Sequence, residues 1–341
     1  MKKLITYCIV FLLVSVHYAQ NEIDLKSVSA MKISEKVKVD GLLSELCWKS
    51  AERQGNFWQN FPNDTSEAVK RTEVILAYDS ENLYVAAICY ESTKHNYVIQ
   101  SLRRDFSYPV SDAFVITLDP FSDMQNGFSF GLNPYGVQRE GLVANGGGFG
   151  VTTIWDNKWY GETSRTDSCW IAEMQIPFKS LRYKDNLKQW RVNFSRNDLT
   201  TNENSTWVKV PRQFNISTLA FTGLLNFEEA PEKTGSNISL IPYGIGRFSD
   251  DYQVPNSQKL EGNGGLDAKM VLNNSLNLDV TINPDFSQVE VDRQITNLTR
   301  FSLFFPERRQ FFIENSDLFE QFGFRQIRPF FSRRIGLSDG N

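Results

Sequence analysis

An excess of basic charge is missing from this chain. Its 36 lysines and arginines are outnumbered by 40 aspartates and glutamates, a formal net charge of −4, and the sequence pI is near 5.5. A surface of that balance offers no footprint for nucleic acid. Cysteine is scarce as well. The four are Cys8, Cys47, Cys89 and Cys169, with no Cys-x-x-Cys pair among them, which excludes a disulfide scaffold and c-type haem attachment. Cys89 sits in an apolar, strand-like run and reads as a buried thiol acting as a small hydrophobe; one bridge among the last three cysteines stays open. The glycine-rich Asn145-Gly146-Gly147-Gly148-Phe149-Gly150 lacks the Gly-Lys-Ser/Thr of a phosphate loop and reads as a flexible connection. Beyond the first twenty residues no segment is a helical membrane span.

What is present begins with Lys2 and Lys3, an apolar run over residues 4–16, and Ala19-Gln20. A basic start, a hydrophobic stretch too short for a bilayer and a small residue at its end predict a secretory signal peptide over residues 1–19 and an exported protein. His17 occupies a position where cleavage prefers a small residue, and Cys8 lies inside the apolar run rather than at a lipoprotein site. The remaining length suits one large or two modest domains.

Strand patterns dominate from residue 31 to 227. In Trp170-Ile171-Ala172-Glu173-Met174-Gln175-Ile176-Pro177, the residues Trp170, Ala172, Met174 and Ile176 fall on one side of a two-residue period. Ile171, Glu173 and Gln175 fall on the other, so a half-buried strand is expected, stopped by Pro177. Strands are also expected over 72–78, 83–90, 113–119, 127–132 and 190–196, the first two joined as a hairpin by Asp79-Ser80-Glu81-Asn82. A short helix is expected over residues 44–51 with Ser44 as its cap. Many short strands at close spacing favour an all-β sandwich or barrel.

These motifs carry a resemblance. Val39-Asp40-Gly41-Leu42 with Glu45, Trp48 and Ala51; Thr72-Glu73-Val74 with Ala77-Tyr78-Asp79 and Asn82-Leu83-Tyr84-Val85; Ser111-Asp112-Ala113-Phe114 through Leu118-Asp119; Trp170-x-x-Glu173-x-x-Ile176-Pro177-Phe178; and Glu203, Trp207 and Gly223-Leu224 stand in order over nearly 200 residues. Together they resemble the family 9 carbohydrate-binding modules, which are antiparallel β-sandwiches that bind sugars without cleaving them. The resemblance implies a sandwich over residues 31–227 with an oligosaccharide or polysaccharide as its partner.

A Pro-, Gly- and charge-rich stretch over residues 228–235 reads as a linker. Beyond it Leu276, Leu278, Val280 and Ile282 alternate with Asn277, Asp279, Thr281 and Asn283. That pattern fits a membrane β-barrel and equally a sheet with one wet face. Asn283-Pro284-Asp285-Phe286-Ser287, Phe305-Pro306-Glu307-Arg308-Arg309 and Phe331-Ser332-Arg333-Arg334-Ile335-Gly336 resemble a family of large Gram-negative outer-membrane proteins. Their N-terminal module is the family 9-like sandwich and their C-terminal part is predicted to be a barrel. The resemblance implies that residues 236–341 are the start of an outer-membrane barrel, incomplete in a truncated chain, with the arginine pairs in ion pairs or lining the barrel.

Chemistry is less sharply marked. Gly127-Phe128-Ser129-Phe130-Gly131 fits the Gly-x-Ser-x-Gly elbow formally, but Asn133-Pro134-Tyr135-Gly136 follows instead of a helix, and His95 precedes Ser129. Glycoside hydrolysis needs two flanking carboxylates. Asp105, Asp112, Asp119, Glu140, Asp156, Glu162 and Glu173 are candidates, and no motif singles out a pair. The best sugar-binding candidate is Trp155-Asp156-Asn157-Lys158-Trp159-Tyr160, which joins flat rings for pyranose faces to polar groups for hydroxyls. The alternative reading makes Trp155 and Trp159 core residues on one face of a strand. Trp207 is a second candidate, because the related modules clamp sugar between two tryptophans; Tyr108 is the nearest aromatic for the other half of the clamp. If the tryptophans are core residues, the binding face is to be sought first around Arg104, Asp105 and Tyr108. Asp119 and Asp123 are candidate calcium ligands. Three functions stay open: non-catalytic glycan binding in glycan capture or breakdown, hydrolysis of O-glycosyl bonds, and a structural or transport role without sugar.

Overall fold

A computed structural model describes residues 25–91, 97–153, 155, 157–232, 238–249, 258–273 and 276–283. The expected signal peptide, His95, Asp156 and the motifs beyond residue 283 lie outside them. The strands are β1 (Ser27–Ser29), β2 (Met31–Lys32), β3 (Arg53–Gln54), β4 (Trp58–Phe61), β5 (Thr72–Tyr78), β6 (Asn82–Tyr90), β7 (Ala113–Asp119), β8 (Gly127–Leu132) and β9 (Gln138–Val143). They continue with β10 (Val151–Thr152), β11 (Tyr160–Arg165), β12 (Cys169–Pro177), β13 (Gln189–Asp198), β14 (Glu203–Thr206), β15 (Gly223–Asn226), β16 (Ile238–Ser249), β17 (Lys259–Asn273) and β18 (Leu276–Ile282).

The first fifteen strands form an all-β sandwich. One sheet runs β1-β15-β13-β7-β8-β9-β10, with β14 and β4 added beside β13; the other runs β11-β12-β6-β5-β2, with β3 beside β5. Pairing is antiparallel except at two short places, β1 with β15 and β2 with β5. The sheets meet through alternate residues, as the two-residue period requires. Phe114, Ile116, Leu118, Phe128, Phe130, Trp190, Val192 and Phe194 come from the larger sheet. Val74, Leu76, Val85, Ala87, Trp170, Ala172, Met174 and Ile176 come from the smaller, all in one buried cluster. Gly127 to Gly131 is strand β8 within the larger sheet, flanked by β7 and β9.

The outer faces are covered too, which the alternation did not foretell. β5 and β7 are buried along their whole length. Over the smaller sheet, Val37, Cys47, Trp48 and Ala51 pack on Ile75, Ala77, Tyr84 and Ala86. The short helix α1 (Leu46–Ser50) supplies Cys47 and Trp48; its cap is Glu45, with no side-chain capping bond, rather than the expected Ser44. This cover explains Glu173. Although it lies on the expected wet side of β12, it has no exposed surface. Its carboxylate accepts hydrogen bonds from the backbone N–H of Asp40 (2.9 Å) and Gly41 (2.9 Å) and from Trp48 Nε1 (3.0 Å). Gly41 has φ +77°, and a Cβ there would meet the Thr163 carbonyl carbon at 2.8 Å, so both conformation and space demand glycine. Burial pushes the Glu173 carboxyl up to about 7 against those three donors.

One end of the sandwich is closed by buried charge. Lys70 Nζ lies 2.5 Å from both Glu91 and Asp198, and Arg196 Nη2 lies 2.6 Å and 3.2 Å from the same two carboxylates. The Asp198 carboxyl, although buried, is held down to about 2 by its bonds to Lys70 and Thr200 and the nearby Arg196 charge. Removing one member of such a cluster leaves an uncompensated buried charge, at a cost of about 3–5 kcal/mol.

Strands β16, β17 and β18 form a separate antiparallel sheet. Its register gathers one set of apolar side chains on a single face. Leu240 pairs with Ala268, which pairs with Val280; Pro242 pairs with Leu266, which pairs with Ile282; Phe248 pairs with Leu260. Cross-strand partners share a face, so this face is apolar, and Leu260 is 82% and Phe248 65% exposed. The opposite face is mixed: Asp267 pairs with Ile241 on one side and with Thr281 on the other, whose hydroxyl donates to it at 2.6 Å; Tyr243 and Ile245 share that face, and Asn283 Nδ2 donates to Asn263 Oδ1 at 2.6 Å.

Candidate functional site

The aromatic rings expected to stack on sugar are core residues. Trp155 is 5% exposed, Trp159 3% and Trp207 0%. Trp155 packs against Phe128 and Phe130 at ring-centroid distances of 5.3 and 6.1 Å, Trp159 against Phe130 at 5.5 Å, and Trp207 against Phe194 at 5.3 Å. Rings so enclosed turn no face to solvent, which matches the alternative reading of Trp155 and Trp159 as core residues and places Trp207 in the same core. Tyr108 is likewise buried, among Phe106, Ala113 and Val115 on the outer face of the larger sheet, with its hydroxyl donating to Asn204 Oδ1 at 3.3 Å.

Part of the expected constellation does come together, around Glu140. This carboxylate has no exposed surface. It accepts Arg104 Nε at 3.0 Å, a second bond from Arg104 Nη2, and Trp159 Nε1 at 3.1 Å. Arg104 Nη2 also donates to the Asn157 carbonyl at 3.1 Å, and Asp105 Oδ1 accepts the Glu140 N–H at 3.3 Å. Asn157 Nδ2 donates to the Ser180 carbonyl at 2.8 Å. Arg104, Asp105, Asn157 and Trp159 therefore fasten the 155–160 segment to β9. Tyr160 stays exposed, with Lys158 Nζ 5.7 Å from its ring centre.

The candidate calcium ligands are turn-forming acceptors. Asp119 accepts the N–H groups of Phe121 (3.1 Å) and Met124 (2.8 Å), and Asp123 Oδ1 accepts those of Gln125 (2.7 Å) and Asn126 (3.1 Å). Oxygens turned toward N–H donors suit an Asx turn rather than a cation, and the described residues contain no cluster of three candidate metal ligands. The buried carboxylates are similarly engaged. Asp112 accepts Val98 N and Leu199 N, both at 2.7 Å, and Glu203 accepts Gln59 Nε2 at 2.8 Å and Val69 N. Glu162 lies opposite Glu173 in the β11–β12 ladder, yet Glu173 is sealed beneath Trp48 and Gly41.

A different edge carries accessible rings. Strand β4 pairs with β14, Trp58 opposite Thr206 and Gln59 opposite Ser205; the register then shifts, and Phe61 stands opposite Asn204. Thr206 in turn pairs with Ser195, and Asn204 with Asn197, on the face of the larger sheet turned away from the core. Trp58 and Phe61 therefore share that outer face, and both are partly exposed. Alternation alone would place residues three apart on opposite faces; the extra residue, Asn60, brings the rings together. Its side chain donates to the Val210 carbonyl at 3.1 Å and anchors the neighbouring segment. Phe214, also exposed, packs on Phe221 at 4.9 Å. Beside Trp58, the buried Thr206 hydroxyl has no hydrogen-bond partner among the described residues.

Comparison with known proteins adds the following. Residues 235–340 match the model of a domain of unknown function, DUF5916. No curated protein sequence matches the chain. A protein from Bacteroides uniformis ATCC 8492, provisionally described as carbohydrate-binding, is similar in structure at 16% identity and a TM-score of 0.47, over 60% of this chain and 100% of that one. A family 9 carbohydrate-binding module from Caldicellulosiruptor kristjanssonii, solved with cellotriose, is similar at 15% identity and a TM-score of 0.42, over 59% of this chain and 93% of that one. A family 9 module from the same organism, solved with glucose, shows 15% identity and a TM-score of 0.43, over 62% and 100% of the respective chains.

Proposed function

We propose that this is an exported, non-catalytic glycan-binding protein of the outer membrane, and that the β4–β14 edge is where its sandwich takes an oligosaccharide or polysaccharide. The observation that carries the reading is that two partly exposed rings, Trp58 and Phe61, share one sheet face and have the exposed polar side chains of Lys209 and Arg212 beside them. A pyranose presents C–H faces to rings and hydroxyls to polar groups, and this edge offers both. Binding is favoured over hydrolysis because Glu140, Glu173, Asp112, Asp119, Asp198 and Glu203 are all committed to structural donors.

Membrane association is supported by the exposed apolar face of β16–β18. Strands of 12 and 15 residues exceed the roughly 9–11 residues a tilted strand needs to cross a bilayer, and their apolar face suits acyl chains. Calorimetric titration of the full chain in detergent with a panel of oligosaccharides tests the binding reading. Measurable affinity for at least one glycan, weakened in Trp58→Ala, is expected; no affinity for any glycan would leave the structural or transport role instead. Recovery of the full chain in washed outer membranes tests the location, and recovery in the soluble fraction would contradict it.

A further inference from the structure

Cations stand over the rings along the same edge. Lys26 Nζ lies 5.5 Å from the Trp207 ring centre, Lys209 Nζ 5.3 Å from that of Trp58, and Arg212 Cζ 5.1 Å from that of Phe61. Elsewhere in the sandwich, Lys70, Arg104 and Arg196 are matched to carboxylates, while Lys158 over Tyr160 and Arg165 over Tyr135 each stand singly over one ring. The hydrogen bonds of Lys26 Nζ go to the uncharged Asn56 and Trp207 carbonyls at 2.7 and 2.8 Å. No ion pair joins Lys209 or Arg212 to a carboxylate among the described residues. The acids nearby are Asp64, whose carboxylate accepts the Arg212 backbone N–H at 3.0 Å, and the exposed Glu67, bridge partner of Trp58.

We infer that the glycan bound at this edge is acidic: a sugar carrying uronate carboxylates or sulfate esters, whose rings rest by Trp58 and Phe61 and whose charge is met by Lys209 and Arg212. This rests on the reading of the edge as a glycan site. A cation held over an aromatic face is oriented before the ligand arrives and keeps its N–H donors for an anion. Lys209 and Arg212 are both exposed, so an anion reaches them without disturbing the fold. Arginine's planar fork additionally suits two-point contact with a carboxylate or sulfate.

The test is titration of the full chain in detergent with oligomers of matched length: a neutral glucan, a uronate oligomer, a sulfated galactan oligomer, and polyglutamate as a polyanion without sugar. At low salt the wild-type chain is expected to bind the uronate or the sulfated oligomer at least about ten-fold more tightly than the neutral one, as surface charge pairs acting together allow. That preference is expected to shrink at high salt and to disappear in the K209Q/R212Q double variant at an unchanged melting temperature. Preference for one acidic oligomer over the other identifies carboxylate or sulfate as the recognised group. Equal affinity for neutral and acidic oligomers, a preference that survives in the double variant, or equal binding of polyglutamate would overturn the inference and leave glycan binding standing. Absence of binding to every sugar would remove both.

Discussion

The sandwich and the β16–β18 sheet use the same alternation of apolar and polar residues and reach opposite ends. In β12 the apolar set meets a second sheet, and even the polar set is partly roofed, so that Glu173 disappears under Trp48. In β16–β18 the apolar set stays open to the surroundings, with Leu240, Phe248, Leu260 and Ile282 displayed together. A period of two fixes which residues share a face, but not what covers that face. An aqueous domain supplies the cover from its own chain; an apolar face of this extent left open marks an interaction surface.

The comparison breaks first, and with the largest effect, on separation. A piece spanning residues 25–232 is expected to melt cooperatively in water, whereas residues 236–341 are expected to stay unfolded or aggregate without detergent, since the outer edges of β16 and β18 have no partner strand among the described residues. A cooperative melt of the second piece in plain buffer would show that it buries its own apolar face.

Next in size are the buried features of the sandwich. Arg196→Ala strands Glu91 and Asp198 and should cost about 3–5 kcal/mol in a denaturant titration. Trp207→Ala removes a fully buried ring and should cost a similar amount, about 3–5 kcal/mol. The corresponding change in the other region, Leu260→Ala, deletes a side chain that is 82% exposed and should leave solution stability within about 0.5 kcal/mol. A large loss there would mean that Leu260 is packed.

A smaller effect is expected from pH. The Glu173 carboxyl is raised in the folded chain to about 7 from an ordinary 4.5. The folded state therefore holds a proton the unfolded state releases. The stability this brings is fully present below about pH 4.5 and is lost as pH rises through about 7. The melting temperature of the wild type relative to Glu173→Gln should fall across that window. A difference that is flat with pH, or that grows with pH, would contradict burial as the cause.

Much of the fold was legible in the sequence because it lives in local alternation. The strands over 72–78, 113–119 and 127–132 appear with those limits, and the family-like motif Val39-Asp40-Gly41 with Trp48 and Glu173 proves to be one hydrogen-bonded unit. That unit is structural, which is why the motif announced a fold more clearly than a site. The candidate site was hidden for a physical reason. Trp155, Trp159 and Trp207 have the composition of a sugar platform, yet burial depends on distant partners such as Phe128, Phe130 and Phe194. Trp58 and Phe61 share a face only through a register shift against β14, and sequence spacing does not report bulges.

The most direct measurement is parallel calorimetric titration and thermal melting of Trp58→Ala and Trp207→Ala in the full chain, with the best-binding oligosaccharide as ligand. Trp58→Ala should weaken binding by about 1–3 kcal/mol, the scale of an aromatic anchor at a binding site, with little change in melting. Trp207→Ala should melt much earlier, while the fraction that stays folded binds as the wild type does. Wild-type affinity in Trp58→Ala together with lost affinity in folded Trp207→Ala would contradict the assignment and return the sugar to the buried tryptophans.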